Sequence, residues 1–233
     1  MYFSQDALHR AALRGDHNSV ERMLANKDLL TEVNCRDEDG NTPLHSAALN
    51  GHGRVVLILL ADPRVDVNCS GKHGATPLVM AADAGNVRVL KILLADLRVE
   101  INASDKEGYT SLHAAAVLGR PRVVQLLLED KRLDVNCTTS PKLSRRGSSA
   151  AWLYGGLYEG ATPLHLAAQY NHAEVVQLLL ADPRTEVNCK NKRGATPLMH
   201  HVMTALVENS LPTLRLLLNH PSVDLKDIKE VAR

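Results

Sequence analysis

One four-residue word recurs along this chain at a fixed interval, and that interval constrains the fold more than any single residue does. Thr42-Pro43-Leu44-His45 returns as Thr76-Pro77-Leu78-Val79, Thr110-Ser111-Leu112-His113, Thr162-Pro163-Leu164-His165 and Thr196-Pro197-Leu198-Met199. The threonines stand 34 residues apart except between 110 and 162, where the step is 52. Cys35, Cys69, Cys137 and Cys189, four of the positions that follow a Val-Asn pair, keep the same register. Self-similarity at this period means stacked supersecondary units, none of which can bury its apolar face alone. Such stacks commonly serve as binding surfaces.

The block from Gly160 to Arg193 shows what one unit must look like. Thr162 is placed to N-cap a helix, and Pro163 to occupy its first position, where a missing N–H costs nothing. Leu164, Ala167 and Ala168 form an apolar stripe at helical spacing, small enough for neighbouring helices to approach closely. Glycine ends this helix in the other units, at Gly15, Gly51, Gly85 and Gly119. Asn171 replaces it here, and asparagine is the next best residue for a left-handed cap. A second helix is predicted over 174–181, with Val175, Val176, Leu178 and Leu179 buried and Pro183 stopping it. Thr185-Glu186-Val187-Asn188 then reads as extended, and Arg193-Gly194 as a turn into the next unit.

These words, with Ala47-Ala48-Leu49-Asn50-Gly51-His52 and the closing Val-Asp-Val-Asn, resemble the ankyrin repeat, and the resemblance runs from about residue 6 to 226. It implies an all-α solenoid of about six helix-turn-helix repeats with short β-hairpin fingers. The expected organisation is a single domain over 1–233. Its repeats run 1–39 (an N-terminal cap), 40–73, 74–107, 108–159, 160–193 and a divergent 194–233. In the last, Met199-His200-His201-Val202 replaces His-x-Ala-Ala and Lys226 replaces the closing asparagine. That makes it either a divergent C-cap or the place where a longer stack continues.

Composition narrows the function classes. A formal charge of +1 gives no global basic field for nucleic acid. No apolar run reaches the ~20 residues of a membrane span, and the start, Met-Tyr-Phe-Ser-Gln-Asp, lacks a signal-peptide core. Stacked repeats stand roughly 8–10 Å apart, too far for equivalent cysteines to form a disulfide, whose Cα limit is about 7 Å. Nor can points one layer apart close a zinc site with bonds of about 2.3 Å. Reduced thiols point to an intracellular address, cytoplasmic or nuclear, or the host cytosol if the chain is a pathogen effector. Of eleven histidines, His9, His45, His113 and His165 hold the Thr-Pro-Leu-His position, and His17, His52 and His172 are assigned to the Gly-His position. The His200-His201 pair is a poor metal site, because adjacent helical side chains point apart.

No nucleophile elbow, His-Glu-x-x-His or complete phosphate loop is present; Ser70-Gly71-Lys72-His73-Gly74 lacks the flanking residues such a loop needs. No catalytic residue, metal or cofactor is assigned. The expected function is a non-catalytic scaffold or interaction module that binds a protein or peptide, acting as a monomer. The alternative is a substrate-targeting or regulatory arm of a larger enzyme, a ubiquitin ligase subunit or a pathogen effector.

The resemblance places ligands against fingertips and the open face of each first helix. The fingertips carry charge of opposite sign: Arg36, Asp37, Glu38 and Asp39 leave −2, whereas Lys190, Lys192 and Arg193 give +3. Met80, Val117, Leu118, Leu166 and Tyr170 fall at groove positions and are expected to form an apolar floor. The 18-residue excess makes an inserted finger over 138–159, with Trp152, Tyr154 and Tyr158 as candidate anchors. Arg145-Arg146-Gly147-Ser148 resembles a basophilic kinase site, with Ser148 as the acceptor. Asn68, Asn102, Asn136 and Asn188 lie eight residues after a leucine, similar to a pattern hydroxylated in the family; a turn-stabilising role accounts for them equally well.

Overall fold

The computed structural model describes residues 5–25, 32–71, 73–140, 159–204 and 210–225. The chain divides into two compact units, Met1–Lys106 and Glu107–Arg233. In the first, α1 (Gln5–Arg14), α3 (Pro43–Leu49) and α5 (Pro77–Ala84) form an inner layer, and α2 (His17–Ala25), α4 (Gly53–Ala61) and α6 (Val87–Ala95) an outer one. The second repeats this with inner α7 (Ser111–Val117), α9 (Pro163–Gln169) and α11 (Pro197–Thr204), and outer α8 (Pro121–Leu128), α10 (Ala173–Ala181) and α12 (Leu211–Asn219). This is an all-α, solenoid-like repeat fold.

Local chemistry explains the helix boundaries. Thr42, Thr110 and Thr162 are extended N-caps, and each forms a reciprocal box with the histidine three residues on. The threonine N–H donates to histidine Nδ1 at 3.0, 3.2 and 3.2 Å respectively. Inner helices α1, α3, α5, α7 and α9 are then followed by left-handed backbone. Among the described residues Asn171, at φ 57°, is the non-glycine residue with positive φ, standing where Gly15, Gly51, Gly85 and Gly119 stand in other repeats.

The outer helices bury one register: Val55, Val56 and Leu59; Val89, Leu90 and Leu93; Val123, Val124 and Leu127; Val175, Val176 and Leu179. Leu178, expected in this set, is half-buried. It lies about 100° around the helix from Leu179, at the edge of the apolar stripe.

Polar side chains join successive repeats inside each unit. His45 Nε2 donates forward to Ala75 O at 3.0 Å, His113 to Ala161 O at 3.1 Å and His165 to Ala195 O at 2.9 Å. His52, Asn86 and His172 reach back instead, to carbonyls ending the preceding inner helix. In the first repeat that position belongs to Asp16, which caps α2 through Ser19, and not to His17. Asparagine makes a third joint. Asn136 Nδ2 donates to Arg184 O at 2.8 Å while its Oδ1 accepts the Glu186 N–H at 2.8 Å, and Asn34, Asn68 and Asn188 do the same at their joints.

Among the described residues the fingers are tight turns without extended strands, with isolated bridge residues at Ser104 and Thr110. Single hairpin-like bonds close them, such as Gly71 N–H to Ala75 O at 2.9 Å and Asn191 N–H to Ala195 O at 3.0 Å. Neighbouring fingers touch backbone to backbone: Lys192 N–H donates to Glu159 O at 2.9 Å, and a Cβ on Gly108 would collide with the Ser140 amide. Runs this short and this tightly turned cannot build a ladder.

Candidate interaction surface

The open face of each unit is built by the C-terminal ends of the inner helices. In the second unit, His172 Nε2 donates to Val117 O at 2.8 Å and so ties the start of α10 to the end of α7. The next residue after α7 is Leu118, and the residue after α9 is Tyr170; they hold equivalent positions in adjacent repeats. Leu118 is exposed. Tyr170 is half-buried, its ring tilted against His172 with centroids 6.3 Å apart.

Two expected floor residues are corrected. Leu166 and Val117 are buried, Leu166 completely. α9 lies between α7 and α11, so a side chain directed along the stack is covered by the neighbouring helix. Met80 belongs to the first unit and is half-buried. At the ends of α1 and α3 there, Leu13 and Leu49 are exposed, which the sequence reading passed over. Trp152, Tyr154, Tyr158 and Ser148 lie outside the described residues.

Fingertip charge sits where expected, with one change of role. Lys190, Lys192 and Arg193 are exposed in the second unit, and Asp37, Glu38 and Asp39 in the first. Arg36 also lies at the surface, but its guanidinium donates to Gly40 O at 2.8 Å, Ser70 O at 2.6 Å and Cys69 Sγ at 3.1 Å. It fastens two fingers together and leaves an acidic tip.

The electrostatics favour recognition over chemistry. Burial pushes His113 and His165 down to about 4, leaving both rings neutral near pH 7. Burial also raises the Cys137 and Cys189 thiols to about 11, so neither is a ready nucleophile. All four cysteines are free thiols. Among the described residues no group of three His, Cys, Asp or Glu side chains is placed to hold a metal ion, and no helix is long and apolar enough to cross a membrane.

A family model described as ankyrin repeats (3 copies) matches residues 63–139 and 144–227, more than half of the chain. Another, ankyrin repeats (many copies), matches residues 24–78. Ankyrin repeat domain-containing protein 49 of Bos taurus is 49% identical over 51 residues, covering 22% of this chain and 21% of that protein. The shared segment is thus about a fifth of the relative's length. With the repeat geometry and these matches in agreement, the chain belongs to the ankyrin-repeat family, whose members are in general protein–protein interaction modules.

Proposed function

We propose that this chain is a non-catalytic interaction module whose second unit holds an acidic protein segment bearing large apolar side chains. One observation carries the reading. Leu118 is exposed and Tyr170 half-buried at equivalent repeat positions, at the opposite end of the inner helices from the cationic finger Lys190, Lys192 and Arg193. A seven-residue helix is roughly 10 Å long, so one short peptide reaches both. Apolar anchors supply affinity, and the finger charges supply orientation and on-rate.

Selection of random peptides against the whole chain tests this. Enriched sequences should combine Asp or Glu with Leu, Phe or Trp. Leu118→Ala with Tyr170→Ala should weaken them by about thirtyfold, the equivalent of losing an anchor of about 2 kcal/mol. Reversing the three finger charges should lower binding and flatten its salt dependence. Enriched peptides indifferent to both sets of changes would remove the site.

A further inference from the structure

We propose that the outer face of the first unit, where Arg54, Arg88 and Lys91 surround Leu57, is a docking surface for an acidic protein segment that sets an apolar side chain between its carboxylates. The inference concerns other residues than the peptide site above and stands without it.

α4 and α6 are neighbouring outer helices that bury the same register, so their exposed positions match as well. Arg54 and Leu57 lie three residues apart on α4, and Arg88 and Lys91 hold the corresponding places on α6. Residues at that spacing share one helix face. All four are exposed, Leu57 by 50%. Packed helices stand roughly 8–10 Å apart and three residues rise about 4.5 Å, so the four side chains bound one compact patch. Gly53 draws it tighter. A Cβ there would lie 3.4 Å from Arg88 Nε and 3.1 Å from Ile92 Cδ1, so the Arg88 side chain rests on the first turn of α4, one residue from Arg54.

Other arginines of this unit serve the fold. Arg22 donates to Asn18 O and Ser19 Oγ, Arg36 joins two fingers, and Arg64 and Arg98 pair with Asp62 and Asp96 at 2.6 Å. Arg54, Arg88 and Lys91 make no hydrogen bond or ion pair among the described residues. Their placement is locally unfavourable. Neither α4 nor α6 carries an acid, and Arg88 and Lys91 are like charges at helical spacing. Arg54 and Arg88 also stand in first turns, where the backbone dipole favours anions. A local rule broken without compensation inside the chain marks a functional site, and the missing complement here is a carboxylate. Composition decides what carries it. The unit holds 14 acidic and 12 basic residues, so it lacks the excess of positive charge that nucleic acid requires. Three cations also fall short of the roughly four to eight that hold a protein to an anionic membrane. Leu57 in the middle of the patch suits a protein segment, whose own apolar residue supplies affinity while the charges set its orientation.

The test is a selection of displayed random peptides on the full chain, depleted on the same chain carrying Arg54→Glu, Arg88→Glu and Lys91→Glu. Surviving sequences should set Asp or Glu on both sides of Leu, Ile or Phe. The triple variant should bind them about tenfold more weakly or worse, and Leu57→Ala should weaken them severalfold. Leu118→Ala with Tyr170→Ala should leave them bound, which separates this surface from the one on the second unit. Reversing the charges should hold the urea midpoint level or raise it, because the first-turn and like-charge conflicts are relieved. Vesicles of phosphatidylserine and phosphatidylcholine should sediment parent and variant alike. No peptide surviving depletion, survivors without acidic residues, retention of the parent alone by those vesicles, or a lowered urea midpoint in the triple variant would each overturn the proposal.

Discussion

The Nε2 of His165 stands 2.9 Å from the carbonyl oxygen of Ala195, in the turn that opens the next repeat. Its Nδ1 accepts the Thr162 N–H at 3.2 Å, which fixes the ring proton on Nε2. One neutral imidazole therefore caps its own helix and fastens the following repeat. His113 does the same between Thr110 and Ala161. Protonating either ring removes the lone pair that the cap needs and buries a charge.

That arrangement makes stability depend on pH in a defined window. Burial lowers both folded pKa values to about 4, below the ordinary 6.5. The unfolded chain then binds more protons between those values, so the contribution is complete above pH 6.5 and is lost as pH falls towards 4. The upper limit is about 3 kcal/mol per histidine. Asp62, Asp96, Asp130 and Asp182 are held below the usual carboxylate value of 3.8 by hydrogen bonds from Arg64, Arg98, Arg132 and Arg184, and their contributions are lost only at lower pH. Urea midpoints measured from pH 7.5 down to 4.5 should fall, and His113→Gln with His165→Gln should flatten the slope. A parent profile level across that range contradicts the assignment.

Leu179→Ala should cost about 2–5 kcal/mol by opening a cavity at a fully buried position. Leu178→Ala, at a half-buried one, should cost clearly less. Chemical denaturation of the two variants ranks them, and equal losses would show that the edge of the stripe is packed as tightly as its centre.

The contrast between those neighbours shows where sequence stopped being sufficient. The Thr-Pro starts and the glycine or Asn171 ends were legible because they depend on local backbone chemistry. In Val-Val-Gln-Leu-Leu-Leu, hydropathy is nearly uniform, so composition cannot say which leucine faces inward. Leu166 was misplaced for a related reason: its burial is decided by helices on either side of α9, residues far away in sequence. In sequence Arg36 reads simply as one of the fingertip charges, because its acceptor, Ser70 O, lies a whole repeat further on. The candidate anchors of the inserted finger fall on residues the structure does not describe, and so their role rests on composition.

Ser111 is the exception among the helix-opening prolines, and replacing it should stabilise the protein. It sits at the first position of α7 with its hydroxyl buried and without a hydrogen-bond partner. Thr110 already has φ −92° and ψ 173°, the extended backbone a following proline demands. Ser111→Pro should gain about 0.4–1 kcal/mol from the unfolded chain, with relief of the unpaired hydroxyl in addition. Ser111→Ala isolates that second part. Thermal unfolding of both compares them, and a proline variant less stable than the alanine one would mean that the helix start cannot accept the ring.

The charged fingertips should separate into two kinds when truncated. Arg36 donates to two backbone carbonyls, Gly40 O at 2.8 Å and Ser70 O at 2.6 Å, and so joins the first finger to the second. Removing it leaves both oxygens to water and releases the contact between fingers. Arg36→Ala should cost about 1–2 kcal/mol, the low end for charge-assisted bonds near solvent. Lys192 contributes to finger packing through its backbone N–H, which bonds Glu159 O at 2.9 Å and which alanine keeps. Lys192→Ala should therefore stay within about 0.5 kcal/mol of the parent. Amide exchange at Asp37 and Gly40, whose N–H groups bond Asn41 O and Asp37 O across the first finger, gives the local readout. Faster exchange there in Arg36→Ala alone is the expected outcome; unchanged protection and unchanged stability would return Arg36 to the list of solvated charges.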